Sequence, residues 1–119
     1  MHIRKHEECE EFIAADNSVL RELLHPDKAE LDLRYSLAHA VVQPGDVTLP
    51  HSITTSEVYY IIEGEGVMHI DDEEEAVGPG HAVYIPPRAK QYIENTGNTP
   101  LVFLCIVDPA WRAENEVVD

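Results

Sequence analysis

The sequence predicts an all-β chain, an antiparallel sandwich or barrel, from three observations: apolar alternation at period two, short β-rich runs, and turn residues between them. From Leu31 onward, Leu31, Leu33, Tyr35, Leu37, His39 and Val41 alternate with Asp32, Arg34, Ser36, Ala38 and Ala40. That is the pattern of a half-buried strand. Six further runs follow at residues 48–53, 57–62, 67–71, 82–85, 91–93 and 101–107. Gln43-Pro44-Gly45-Asp46, Glu63-Gly64-Glu65-Gly66, Gly78-Pro79-Gly80 and Asn95-Thr96-Gly97-Asn98 supply the turns. The spacing leaves no room for the crossover helices that a parallel sheet needs.

The flanks read differently. Residues 1–25 form a charged N-terminal lead-in with a helical turn or two expected around residues 19–24, stopped by His25-Pro26. Residues 31–107 form the barrel, and Asp108-Pro109 opens an acidic tail over residues 108–119. The acidic run at residues 71–75 reads as a solvated hairpin tip, since it lacks the glycine-punctuated spacing of a calcium loop. A chain of 119 residues has the size of a single domain, so one domain over 1–119 is expected.

Composition excludes several function classes. Hydrophobic residues make up 44% and charged residues 26%, the balance of a soluble globular protein. No apolar run approaches the length that crosses a bilayer as a helix, and no signal segment opens the chain, so a cytoplasmic location is expected. Asp and Glu number 23 against 8 Lys and Arg, a net charge of -15 that repels nucleic acid and anionic lipid alike. Cys9 and Cys105 lie outside any CxxC pattern and read as reduced thiols, Cys105 as a packing residue.

Two stretches carry the chemistry. Gly45, His51, Glu57 and Gly64 fall at the spacing of the first motif of the cupin superfamily, G-x(5)-H-x-H-x(3,4)-E-x(6)-G. Gly80, Pro86 and Asn95 fall in register with the second, G-x(5)-P-x-G-x(2)-H-x(3)-N, with Gln91 at the histidine position and Arg88 at a glycine position. The chain thus resembles a small single-domain cupin. The resemblance implies a double-stranded β-helix, a jelly-roll-like antiparallel barrel, preceded by the short lead-in.

The resemblance also implies a metal pocket built around His51, Glu57 and Gln91. Imidazole nitrogen and carboxylate oxygen suit a divalent transition metal, Fe, Mn, Ni, Zn or Cu, and inward-facing side chains of a barrel converge on one cavity. Ile53 stands where the family has a second histidine and coordinates nothing. His39, read as inward by its parity with Leu37 and Val41, completes a His39, His51, Glu57, Gln91 set. Tyr35 and Tyr59 share the inward parity of their strands. Arg88 and Lys90 bring positive charge near the strand of Gln91, either to meet an anionic substrate or to form surface salt bridges.

Two functions follow from the resemblance. The first is a metal-dependent enzyme, dioxygenase- or isomerase-like, acting on a small organic molecule. The alternative is a non-catalytic binding or sensing module with a degenerate metal site, which Ile53 and Gln91 favour. Small cupins commonly pair, so a homodimer is expected.

Overall fold

The computed structural model describes all of residues 1–119. Eleven strands run in chain order: β1 (Glu11–Ile13), β2 (Val19–Leu24), β3 (Ser36–Val42), β4 (His51–Ile53), β5 (Ser56–Glu63), β6 (Gly66–Ile70), β7 (Glu73–Val77), β8 (Ala82–Ile85), β9 (Gln91–Asn95), β10 (Leu101–Asp108) and β11 (Glu116–Val118). Every pairing is antiparallel. They form two sheets, β1-β2-β3-β10-β5-β8 and β11-β4-β9-β6-β7. The only helices are two three-residue 3-10 turns, so the all-β expectation holds. No helix is long and apolar enough to cross a membrane.

Alternation decides what fills the interior. On β5 the buried residues are Glu57, Tyr59 and Ile61, and on β9 they are Gln91, Ile93 and Asn95. Phe103, Ile61, Ile85, Ile93 and Leu101 are the largest fully buried apolar side chains and form the heart of the core cluster. Their burial from water supplies the main driving force for closing the two sheets on each other. Gly64 is a position where only glycine fits. Its φ is +90°, and an added Cβ would lie 2.6 Å from the Pro100 carbonyl oxygen and 2.8 Å from Leu101 Cα.

Two expectations are corrected. Residues 19–24 are not helical turns but strand β2, hydrogen-bonded between β1 and β3. Local propensity there is overridden by the free edge of β3, which needs a partner for its backbone groups. The acidic run 71–75 is a tip only at Asp71 and Asp72, because Glu73–Val77 pairs along β6. Within the acidic tail, Glu116–Val118 pairs with His51–Ile53 as an edge strand of the smaller sheet.

The parity of β3 is also the reverse of the expected one. Ser36, Ala40 and Val42 are buried, whereas Leu37, His39 and Val41 lie on the outer face, half-covered by the lead-in. The long apolar residues of β3 were read as core-facing, but they lie on the outer face beside their β2 partners Val19 and Leu24, and His6 of the lead-in packs against His39. Small residues face inward here. Tyr35 precedes the strand and is exposed, while Tyr59 is buried as its parity predicts.

Candidate functional site

A cavity of about 670 Å³ opens beside the apolar core, with His51, Glu57 and Tyr59 in its wall. The strands that carry them belong to different sheets: His51 sits on β4 and Glu57 on β5. Glu57 faces His51 across the interior from the opposite wall. Gln91 lies directly beside His51, since the two are register partners in β4 and β9.

Hydrogen bonds fix each group. His51 is 4% exposed, and its Nδ1 donates to the Leu49 carbonyl at 2.9 Å. A carbonyl only accepts, so the neutral ring has its lone pair on Nε2. That nitrogen has no hydrogen-bond partner. The nearest acceptors are Asp16 Oδ2 at 3.9 Å and Glu116 Oε2 at 4.0 Å, both beyond hydrogen-bond reach.

On the facing sheet, Tyr59 donates its hydroxyl to Gln91 Oε1 at 3.0 Å, and Gln91 Nε2 donates to Glu57 Oε1 at 3.0 Å. Burial pushes the Glu57 carboxyl up to about 8, with the Gln91 hydrogen bond opposing the rise and Asp16 and Glu116 adding to it. Glu57 is therefore a protonated acid at neutral pH. Burial likewise raises the Tyr59 hydroxyl and the Cys105 thiol well above their ordinary values. Both stay protonated, which agrees with Cys105 as a packing residue.

The chain's two ends complete the cavity. Asp16 lies in the turn between β1 and β2, where its Oδ1 accepts from the Ser18 amide at 3.0 Å and the Ser18 hydroxyl at 2.6 Å. Its Oδ2 is left pointing at His51. Glu116 opens β11 and its Oε1 accepts from Trp111 Nε1 at 3.3 Å. The tail that carries it is tied down where His25 Nε2 donates to the Trp111 carbonyl at 2.8 Å and the Trp111 amide donates to Ser36 Oγ at 2.9 Å. Burial raises the Glu116 carboxyl, the protonated form of the His51 ring opposes the rise, and Asp16 adds to it.

Neither Asp16 nor Glu116 was singled out from the sequence. A signal for Asp16 was present: Asp16-Asn17-Ser18 is a turn tripeptide flanked by Phe12-Ile13 and Val19-Leu20, a hairpin pattern in the lead-in. Asn17 indeed takes a left-handed φ of 75°. Glu116 had no local signal, because its place follows from β11 pairing with a strand some sixty residues away in the chain.

The expected four-residue metal set is not assembled. His39 points to the outer face of β3, with its ring centroid 4.2 Å from that of His6, and burial pulls its pKa down, with His6 and Arg21 adding to this. Both ends of the Gln91 amide are engaged by Tyr59 and Glu57, and Gln91 is fully buried behind the cavity wall. Ile53 is buried with its side chain into the cavity. No group of three or more His, Cys, Asp or Glu is gathered at metal-holding range.

The geometry of the near neighbours points the same way. Metal bonds of about 2.1 Å bring adjacent ligand atoms to about 3.0–3.4 Å of one another in octahedral or tetrahedral sites. The 3.9 and 4.0 Å spans from His51 Nε2 are wider. The donor set therefore does not fit the transition metal that the motif implies.

Arg88 and Lys90 do not face the cavity. Arg88 adopts the left-handed conformation its motif position requires, with φ of 69°, and its amide donates to the Ile53 carbonyl at 2.7 Å. Lys90 pairs with Asp119 at 2.7 Å. The surface-pairing expectation describes Lys90. Asn95 has a structural role, donating to the Val42 and Thr99 carbonyls at 2.9 Å each.

Comparison with known proteins agrees with this architecture. The profile of the cupin domain matches residues 38–107. The protein MJ1618 of Methanocaldococcus jannaschii is 41% identical over 112 residues, covering 93% of this chain and 89% of that protein. A glucose-6-phosphate isomerase of Thermococcus kodakarensis is 32% identical over 114 residues, covering 84% of this chain, which spans only 60% of the isomerase. Among solved structures, a predicted oxalate decarboxylase of Thermotoga maritima superposes with a TM-score of 0.79 over 91% of this chain and 99% of its own, at 23% identity. At that identity the likeness concerns the fold alone. The barrel topology, the two spaced motifs and a domain profile that spans more than half of the sequence place the chain in one family: it belongs to the cupins.

Proposed function

We propose that the barrel cavity binds a small organic molecule and transfers protons on it without a resident metal, with His51 Nε2 as acceptor and Glu57 as donor. The observation that carries this reading is the Nδ1–Leu49 hydrogen bond, which turns a bare Nε2 lone pair into a cavity whose facing wall holds a protonated carboxylic acid. An acid and a base poised on opposite sides of a pocket are the parts that isomerisation-type proton transfer needs, and each contributes about 10²–10⁴-fold to rate. The Gln91–Tyr59 chain serves as positioning for Glu57: it holds one oxygen, leaving the other to present the proton.

A second reading, ligand binding without turnover, draws on Ile53. A buried aliphatic side chain in the slot beside His51 makes the pocket more apolar and removes a polar contact. The two readings share the cavity and differ in whether Glu57 gives up its proton.

The test uses full-length protein stripped of metal by chelation. A fragment that binds the cavity is expected to shift the His51 imidazole and Glu57 carboxyl signals in side-chain NMR at pH 7. Less than stoichiometric transition metal is expected in protein purified without chelator. Stoichiometric metal that disappears on His51→Ala would refute the metal-free reading.

A further inference from the structure

We infer that the ligand of this cavity carries a primary ammonium group, seated between Asp16 Oδ2, Glu116 Oε2 and His51 Nε2, on an apolar body. The inference rests on the cavity reading above and names the class of molecule the cavity takes.

With the His51 ring neutral, the three atoms are all acceptors. Asp16 is 7% exposed and His51 4%, and the Glu116 side chain is 12% exposed, so the side chains are held by the fold while their free atoms open onto the cavity. Both carboxylate oxygens face the imidazole lone pair with no donor between them. Like-signed partial charges at this range repel, and the repulsion is relieved by a group that brings donors and positive charge together. An ammonium group brings three donors and one charge.

Spacing selects the ammonium over a bare ion. Two acceptors that each take a hydrogen bond of about 2.8 Å from one ammonium nitrogen lie about 4.0–4.6 Å apart, for angles between a right angle and the tetrahedral one. The observed spans of 3.9 and 4.0 Å reach the lower end of that range.

Charge around the rim excludes the opposite class of ligand. The two cations lining the cavity are already paired: Lys28 with Glu22 at 2.6 Å, and Arg112 with Asp27. His25 is engaged at both nitrogens, accepting from the Asp27 amide and donating to the Trp111 carbonyl. No cationic side chain remains to hold a carboxylate or a phosphate. Leu20, Ile53, Phe103, Val107, Trp111 and Val118 supply apolar surface to the same wall, alongside the paired charges at the rim, and this surface suits a ligand with a hydrocarbon part.

The test titrates full-length, metal-stripped protein with benzylamine, benzyl alcohol and benzoate, followed by calorimetry and amide NMR. Benzylamine is expected to bind at least tenfold more tightly than benzyl alcohol, with shifts at His51 and Glu116, and benzoate not to bind. Asp16→Asn and Glu116→Gln are each expected to weaken benzylamine tenfold or more while leaving benzyl alcohol unchanged. Asp16→Asn keeps the Oδ1 acceptor for Ser18 and so keeps the turn. Binding of benzoate or benzyl alcohol as tight as that of benzylamine would overturn the ammonium inference and leave the cavity reading standing. Stoichiometric Zn²⁺ binding lost in Glu116→Gln would overturn it in favour of a metal. Absence of binding by all three compounds would overturn both readings.

Discussion

Replacing Glu57 by glutamine should stabilise the protein, by an amount that grows with pH. The side chain is fully buried and its carboxyl titrates at about 8 in the folded state against an ordinary value of 4.5. Below pH 4.5 both folded and unfolded states are protonated, so ionisation has no effect on stability. Above it the unfolded chain releases the proton while the folded chain holds it. Stability then falls as pH rises, by about 1.4 kcal/mol per unit, until the folded state also ionises near pH 8. The total loss is on the order of 5 kcal/mol, of which about 3 kcal/mol is already incurred at pH 7. Glutamine keeps the acceptor oxygen for Gln91 Nε2 and has no charge to desolvate, so Glu57→Gln removes this loss. The assay is urea unfolding of both proteins at pH 4.5, 6, 7 and 8. The difference in unfolding free energy should be near zero at pH 4.5 and should grow to several kcal/mol by pH 8. A difference that stays flat across the series would refute the argument that Glu57 is held protonated by burial.

Other perturbations test the neighbouring parts. Tyr59→Phe removes the donor to Gln91 Oε1 and leaves a buried carbonyl unsatisfied, so a loss of about 1–3 kcal/mol is expected in chemical unfolding. Gly64→Ala forces a Cβ against the Pro100 carbonyl at a left-handed φ; it should cost more than about 1 kcal/mol, read as a lower urea midpoint with unchanged slope. Ile53→His places a second imidazole beside His51, and zinc binding by calorimetry should appear in the variant and be absent from the parent protein. If the parent already bound zinc as tightly, the account of the donor set would be wrong.

The barrel was legible because its cues are local. Residues 82–85 were bounded correctly as a strand, and the two motifs located His51, Glu57, Gln91 and the turn glycines, since period-two alternation and left-handed turns are written in neighbouring residues. His39 was misassigned because parity alone does not say which face of a strand is covered. The larger residues of β3 are half-buried under the lead-in, and the small ones line the barrel. The acceptors at Asp16 and Glu116 were missed for another reason. They come from segments that look like solvated flanks, and only long-range pairing of β2 with β3 and of β11 with β4 carries them inward.

This origin divides the cavity into two kinds of residue. Glu57 sits on β5, which is paired along both edges by β10 and β8, and its carboxyl is held across the interior by Gln91 of the other sheet. Glu116 sits on a three-residue strand paired along one edge only, with the tail before it held by His25, Ser36 and the Trp111 ring. Local opening free energy follows the pairing and burial of each element, so β11 opens at far lower cost than β5. Glu57 is therefore fixed by a strand paired on both sides, while the acceptor at Glu116 belongs to an edge paired on one side only. A substitution in the tail then alters which molecules are held while leaving the acid in place, whereas a substitution on β5 disturbs the core together with the chemistry.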